Sequence, residues 1–526
     1  MARAEGLPLA MLIAAAASSL AVASGVREGV FYSGDGGVKF ALASQFAKGD
    51  LHLDLRLPAE PWVAGLWDSG LYPLDAPFSY VIDGRRYVKD PVFFPILTAP
   101  LYAALGWPGL YVVPLLGLWA TWAAFLWLGR RLATGPIATA LGLGALAFAS
   151  PLTLYGAMYW EHTLAVALAF WGMALLAAPE AAAPRAGRAL LGGALVALSA
   201  WFRSEHLWLV AVLASLALAS RPLGLGLRRV PLVLVGLLAP VAALLAFNAG
   251  VYGHPLGVHG LQVAEPVPWS IRTSNAIATQ GALLSLLAGW FPLALPALAA
   301  AVPAMVRPHR PDGAPARFLA WSAVLYVVLL PAILPRPETG GEGGRQWGPR
   351  FLLVVLPMLC AAATQSAGAV AALRSRAWGA LVVAAFAITA AAGAWQNTWR
   401  GARELRRDYA ERMLPLLELL RRDPAVAVAA SEQFASQELM ALAGEKRFFF
   451  VRRPEDLEQL GAAVLGNGSE RYLFLSDQVV RGASPFSLGG GSYFLRVQPL
   501  GRFGWRLVAH EVRVAAFTLP AQPAPR

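Results

Sequence analysis

The sequence predicts a mainly α, polytopic membrane protein, and three observations carry the prediction. Of 526 residues, 57% are hydrophobic and only 14% charged, where a soluble domain carries roughly 25% charged residues. About eleven apolar stretches approach the ~20 residues that a membrane helix needs. The loops between them are alternately basic and non-basic. Such a composition excludes an ordinary cytosolic enzyme and a disordered chain. It also speaks against a nucleic-acid partner, because the net charge of +12 sits largely in short loops between apolar stretches. The single Cys360 removes disulfide frameworks, Cys-based zinc sites and thiol redox pairs. Lysine occurs only at Lys39, Lys48, Lys89 and Lys446, a bias that reads as genome composition.

In chain order the apolar stretches fall near 7–25, 108–128, 136–155, 163–179, 189–202, 206–220, 229–250, 281–305, 316–334, 351–372 and 377–395. Gly and Pro inside them are tolerable where neighbouring helices re-satisfy the backbone. Arg130 and Arg131 follow the second stretch, Arg185 and Arg188 the fourth, and Arg221, Arg228 and Arg229 the sixth. Arg307, Arg310 and Arg317 follow the eighth, and Arg374 and Arg376 the tenth. Basic loops stay cytoplasmic, so the N-terminus is inside and an odd count places the C-terminal part outside.

The first stretch reads as a retained anchor, the alternative being a signal peptide cleaved near Ala21-Val22-Ala23. Residues 26–107 follow as a long first extracytoplasmic loop. Its last part, PVFFPILTAPLYAALGW at 91–107, reads as a helix lying at the outer interface. Counting it as a span, the competing reading, would invert every later loop. Residues 398–526 change character. They open with a charged amphipathic helix at 401–422, followed by strand-like runs at 425–430, 471–476, 492–500 and 505–517. Gly-rich turns such as Gly489-Gly490-Gly491 separate the runs. The expected division is a transmembrane domain, 1–397, and a small extracytoplasmic α/β domain, 398–526.

Ionisable residues at a membrane edge are costly and by default suggest function. On this topology they gather at the outer face. Asp35, in Phe31-Tyr32-Ser33-Gly34-Asp35-Gly36-Gly37, has glycines on both sides that would let backbone approach a ligand. It suits a general base or a metal ligand, and equally a plain Gly-rich turn. Lys89, in Arg85-Arg86-Tyr87-Val88-Lys89-Asp90-Pro91, suits a phosphate near the headgroups or a snorkelling anchor. Glu161 and His162, in Tyr159-Trp160-Glu161-His162, could ligate a metal or hold an acceptor, or belong to an interfacial aromatic belt. Arg203 and Glu205, in Trp201-Phe202-Arg203-Ser204-Glu205-His206, form either a site or a charge-paired hairpin tip. Arg345, Trp347 and Arg350 lie in Gly344-Arg345-Gln346-Trp347-Gly348-Pro349-Arg350. Together with Arg336, these arginines defy the positive-inside trend. Guanidinium forks suit phosphate oxygens. The alternative is a flexible loop with incidental arginines. His254 and His259 are candidates for acceptor contacts, and Asn467-Gly468-Ser469 reads as a turn. No Walker-type loop is present, so nucleotide-driven transport has no support.

This pattern resembles the GT-C superfamily of membrane glycosyltransferases, whose donors are polyprenyl-phosphate sugars. Protein O-mannosyltransferases and the aminoarabinose transferase of lipid A belong there. Asp35 matches the acidic position of the first outer loop, Lys89-Asp90-Pro91 with 92–107 the basic-Pro segment and juxtamembrane helix, and Glu161 a second acidic position. Gln346-Trp347-Gly348-Pro349-Arg350 matches a late basic loop. The similarity covers about residues 7–395. Gly-Asp-Gly-Gly stands where relatives carry an Asp-Glu pair, which leaves shared acceptor and metal use open.

The resemblance implies a GT-C-like fold in the bacterial inner membrane, with the active site and C-terminal domain extracytoplasmic. It implies an inverting transfer of sugar from a polyprenyl-phosphate donor to an acceptor hydroxyl or amine. Asp35 would be the general base and Glu161 a second catalytic carboxylate. Lys89, Arg203, Glu205, His162, Arg345, Trp347, Arg350 and His259 would bind substrate. No cofactor is certain; a divalent metal ion is a candidate. The partners are the lipid-linked donor, the bilayer and an acceptor that is protein, lipid or polysaccharide, with no nucleic acid. Two other classes compete: a transporter or flippase for a lipid-linked saccharide, and a non-catalytic envelope-assembly protein.

Overall fold

The computed structural model describes residues 6–179, 186–263, 268–306, 313–332, 346–371, 376–476 and 508–513. The chain forms two compact units, and each is built from separated stretches. One comprises Met1–Gly25 and Pro100–Leu405, the other Val26–Ala99 and Arg406–Arg526.

The first unit is helical. Its helices are Leu7–Ala23, Gly109–Arg131, Pro136–Phe148, His162–Ala177, Ala186–Ser199, His206–Leu218, Val230–Tyr252, Trp269–Trp290, Ala294–Val306, Ala314–Leu329, Val355–Ala371 and Arg376–Ala394. Among the described residues, four helical runs are long and apolar enough to cross a membrane, or five if one bent pair counts as a span. They are Gly109–Arg131, Val230–Tyr252, Ala314–Ala332 and Gly379–Arg422. With this composition, the chain is an integral membrane protein. Lipid supplies no hydrophobic force between helices, so close packing must hold them together. Glycines supply it. A Cβ on Gly172 would stand 2.5 Å from the Gly192 carbonyl oxygen, and one on Gly236 2.3 Å from that of Leu190. The helices starting at His162, Ala186 and Val230 therefore meet backbone to backbone.

The stretch 281–305 reads as one apolar run, yet the structure breaks it. Trp269–Trp290 and the helix from Ala294 meet at a 105° bend. Phe291 (φ −138°, ψ 70°) leaves the helical region. The cause is Pro292, which disfavours α backbone in the residue before it. The bend leaves the Trp290 carbonyl without its helical partner, and the Asn397 side-chain amide donates to it at 2.7 Å.

The second unit holds both sheets. Strands β1 (Ser79–Ile82) and β2 (Arg85–Val88) form an antiparallel hairpin. Its turn, Asp83-Gly84, has φ of 49° and 73°, the backbone for which Asp-Gly is the preferred pair. Strands β3 (Ala427–Ala430), β4 (Arg447–Phe450), β5 (Arg471–Ser476) and β6 (Val508–Arg513) form a sheet in the order β4-β3-β5-β6. The first three are mutually parallel and β6 is antiparallel to β5. β3 and β5 arise from the runs at 425–430 and 471–476. β4, from the short Arg-Phe-Phe-Phe run, escapes sequence reading because four residues show no alternation. The run at 492–500 lies outside the described residues. Tyr409, Met413, Leu416, Leu417 and Leu420 are buried, the apolar face expected of the segment 401–422.

The segment 26–107, expected as an outer loop, is more structured than its polar composition implies. It carries the helix Gly34–Ala47, a short helix Pro61–Leu66, the β1–β2 hairpin and the start of the helix Phe93–Leu105. The Trp67 indole N–H donates to the Phe448 carbonyl on β4 at 3.0 Å. Arg447 grips both oxygens of Glu60 at 2.7 and 2.8 Å, and this bonding holds the Glu60 carboxyl below its ordinary pKa.

Candidate functional site

The second unit brings Asp35 and Lys89 together. Asp35 lies in the first turn of the helix Gly34–Ala47, where a carboxylate is favoured by the helix dipole. Lys89 follows β2. Its Nζ stands 3.1 Å from Asp35 Oδ1 and 4.8 Å from the centre of the Phe78 ring. A second ion pair lies beside the first. Lys39, one helical turn after Asp35, approaches Oδ1 of Asp90 with Nζ at 3.4 Å. The result is a neutral quartet of two ammonium groups and two carboxylates. Asp35 is 6% exposed, Lys39 0% and Asp90 6%.

The glycines beside Asp35 have a different purpose from the one their spacing suggests. A Cβ on Gly37 would stand 1.7 Å from the Gln437 carbonyl oxygen, and one on Gly34 2.3 Å from Gln437 Oε1. They admit the neighbouring helix Gln433–Glu438, rather than a ligand.

The membrane unit assembles a separate cluster. Glu161 immediately precedes the helix His162–Ala177, and Arg203 and Glu205 lie on the turn before His206–Leu218. Arg203 NH1 donates to Glu161 Oε1 at 2.9 Å and its Nε to Glu205 Oε1 at 2.7 Å. One guanidinium thus bridges two buried carboxylates. Its carbon is 5.7 Å from the centre of the Phe351 ring, and that of Arg350 is 4.9 Å from the same ring. Two cations predicted from stretches about 150 residues apart therefore share one aromatic ring.

His162 stacks on Trp160 at 4.8 Å between ring centres and lies 5.2 Å from the Tyr155 ring. Its Nδ1 is 3.9 Å from Glu161 Oε1. Glu161 faces a guanidinium, and no group of three or more His, Cys, Asp or Glu side chains that could hold an ion occurs among the described residues.

Trp347 is a structural centre. Its carbonyl accepts from the Tyr155 hydroxyl at 3.0 Å, its indole N–H donates to Asn397 Oδ1 at 3.1 Å, and its ring meets Trp290 edge-on at 4.6 Å. Gly348, at φ 73°, turns the chain from Trp347 towards Arg350. His259 lies half-buried on the short helix Val258–Val263. Arg345 lies outside the described residues.

Sequence reasoning missed Lys39, Asp90, Phe351 and Asn397. One signal was available for the first. With only four lysines against many arginines, each retained ammonium is conspicuous. Three of them make internal contacts: Lys39 and Lys89 in the quartet, and Lys446 donating to the Asp423 and Ala425 carbonyls at 2.5 and 2.7 Å.

The chain is a polytopic helical membrane protein with a buried ionic cluster in each compact unit. A solved structure with this fold is ArnT from Cupriavidus metallidurans bound to undecaprenyl phosphate: TM-score 0.54, 14% identity, covering 95% of this chain and 97% of that one. The same protein in the apo state gives a TM-score of 0.53 at 15% identity, covering 96% and 97%. No family model matches the sequence, and no curated protein sequence does.

Proposed function

We propose that the chain is an inverting glycosyltransferase that moves a sugar from a polyprenyl phosphate to an acceptor hydroxyl or amine at the outer face of the membrane. The observation that carries this reading is the 3.1 Å contact between Asp35 and Lys89. It joins, in one compact unit, the base candidate and the phosphate-binding candidate that the sequence presents 54 residues apart. The shared fold with a protein solved with undecaprenyl phosphate supports the donor class.

In the proposed reaction Asp35 takes the proton of the acceptor as the acceptor's oxygen or nitrogen attacks the anomeric carbon. The bond from that carbon to the phosphate oxygen breaks, and polyprenyl phosphate leaves with the bonding pair. Lys89 offsets its charge, and such interactions strengthen where water is excluded. Arg203 is already matched by two carboxylates, so its role is to orient Glu161 and Glu205. No step is assigned to a metal ion.

A transporter would show broken helices with polar residues at the break. The bend at Phe291 supplies the break, but its neighbours Leu287, Phe291, Leu293 and Ala294 are apolar and buried. Its freed carbonyl is capped by the Asn397 side chain.

The test is release of polyprenyl phosphate from a panel of lipid-linked sugars, with candidate acceptors and with water alone. The wild-type chain releases it. Asp35→Asn lowers the rate by about 10²- to 10⁴-fold, the usual contribution of a general base. Equal release by both proteins removes Asp35 from the mechanism and turns attention to Glu161. No release from any donor by folded protein favours transport or a scaffold role.

A further inference from the structure

We propose that Lys39 and Asp90 are positioning residues for this reaction: their buried ion pair fixes Lys89 against Asp35 and balances the charge that Asp35 experiences. The inference rests on the reading of Asp35 as the base. It follows from the way four residues are wired. Asp35 and Lys39 are four apart on one helix, so their side chains leave the same face. Lys89 and Asp90 are adjacent in the chain, and each faces one of that pair, at 3.1 and 3.4 Å. A shift of either segment strains both contacts at once. Lys39 is fully buried, and burying an ammonium is costly unless it is paired.

The helix Gln433–Glu438 packs against Gly34–Ala47 and brings Glu438, which is buried. Met440–Leu442, also packed there, brings no titratable group. Lys39 and Asp90 therefore set Asp35's surroundings from opposite signs. A cation one turn away favours the ionised base, and an anion beside Lys89 disfavours it.

The opposite signs give the experiment. The full chain, purified in detergent, is assayed for polyprenyl phosphate release across pH with a donor on which the wild type is active. Removing the cation, in Lys39→Met, moves the acidic limb of the profile up by about half a pH unit or more. Removing the anion, in Asp90→Asn, moves it down by a similar amount. The neutral double variant returns the limb to its wild-type position, but kcat stays about tenfold low with KM unchanged, because the clamp on Lys89 is gone. A purely structural pair would lower melting temperature and the amount of active protein and leave the limb in place.

Limbs that stay fixed, or that move the same way in both single variants, overturn the proposal. Should the single variants fail to fold, the double variant decides: wild-type kcat in it overturns the proposal. Failure of the underlying reading looks different. A wild type that releases nothing, or an Asp35→Asn chain as active as wild type, overturns both inferences together.

Discussion

Asn397 contacts four other residues of the membrane unit through its side-chain amide. Its amide nitrogen shares two hydrogens among the carbonyls of Ala149, Trp290 and Gly393, at 2.9, 2.7 and 3.0 Å, and its oxygen accepts from Trp347 at 3.1 Å. Asn397→Leu keeps the volume but strands several buried polar groups, each costing about 1–3 kcal/mol. The expected outcome is a loss of at least about 2 kcal/mol, read as a lowered melting temperature in detergent. An unchanged melting temperature would show that water replaces the side chain there. None of this was legible in the sequence. An asparagine near the end of an apolar stretch looks like a boundary residue, and its partners lie about 100 and 250 positions away. A separation of 42 positions likewise hid the bridge from Glu161 to Arg203. The residues themselves stood out because charge at a membrane edge is rare, but their pairing is a property of the fold.

At the scale of elements, the apolar stretches were legible because membrane helices need long apolar runs whatever their neighbours do. The helix Gly34–Ala47 was not, since three glycines in its first turn argue against helix on propensity alone. Packing overrides that preference: the glycines admit the helix Gln433–Glu438 at backbone contact. Gly37→Ala therefore forces backbone apart, with its Cβ 1.7 Å from the Gln437 oxygen. It is expected to destabilise the second unit by about 3 kcal/mol or more, beyond ordinary overpacking. Gly65→Ala is the control, because nothing lies within 4 Å of its new Cβ. Chemical denaturation followed by tryptophan fluorescence separates the two. Equal behaviour would mean that the helices part without penalty.

At the scale of the molecule, composition revealed the membrane and the basic loops suggested an orientation. That orientation puts the loop around Gly187 inside and the turn at Asn467 outside. Both positions are exposed, and the native Cys360 is buried, so introduced cysteines report cleanly. A membrane-impermeant maleimide should label Asn467→Cys in intact spheroplasts and Gly187→Cys only after permeabilisation. The reverse pattern would invert the topology and remove the outer-face site. What composition could not reveal was that the second unit is made of two stretches of chain. Hydropathy records which residues avoid water, and says nothing of which polar segments find each other.

That interleaving has a consequence in time. The stretch Val26–Ala99 leaves the ribosome roughly 300 residues before Arg406, which at about 5–20 residues per second is a delay of some 15–60 seconds. Throughout that interval the groove at Gly34 and Gly37 has no helix to receive, and the ion quartet must stand without the element that covers its helix. The nascent chain thus passes through a window in which its first outer segment is made but unfinished. A folding helper outside the membrane would find its substrate there, and a translation pause in the membrane stretch would lengthen the exposure.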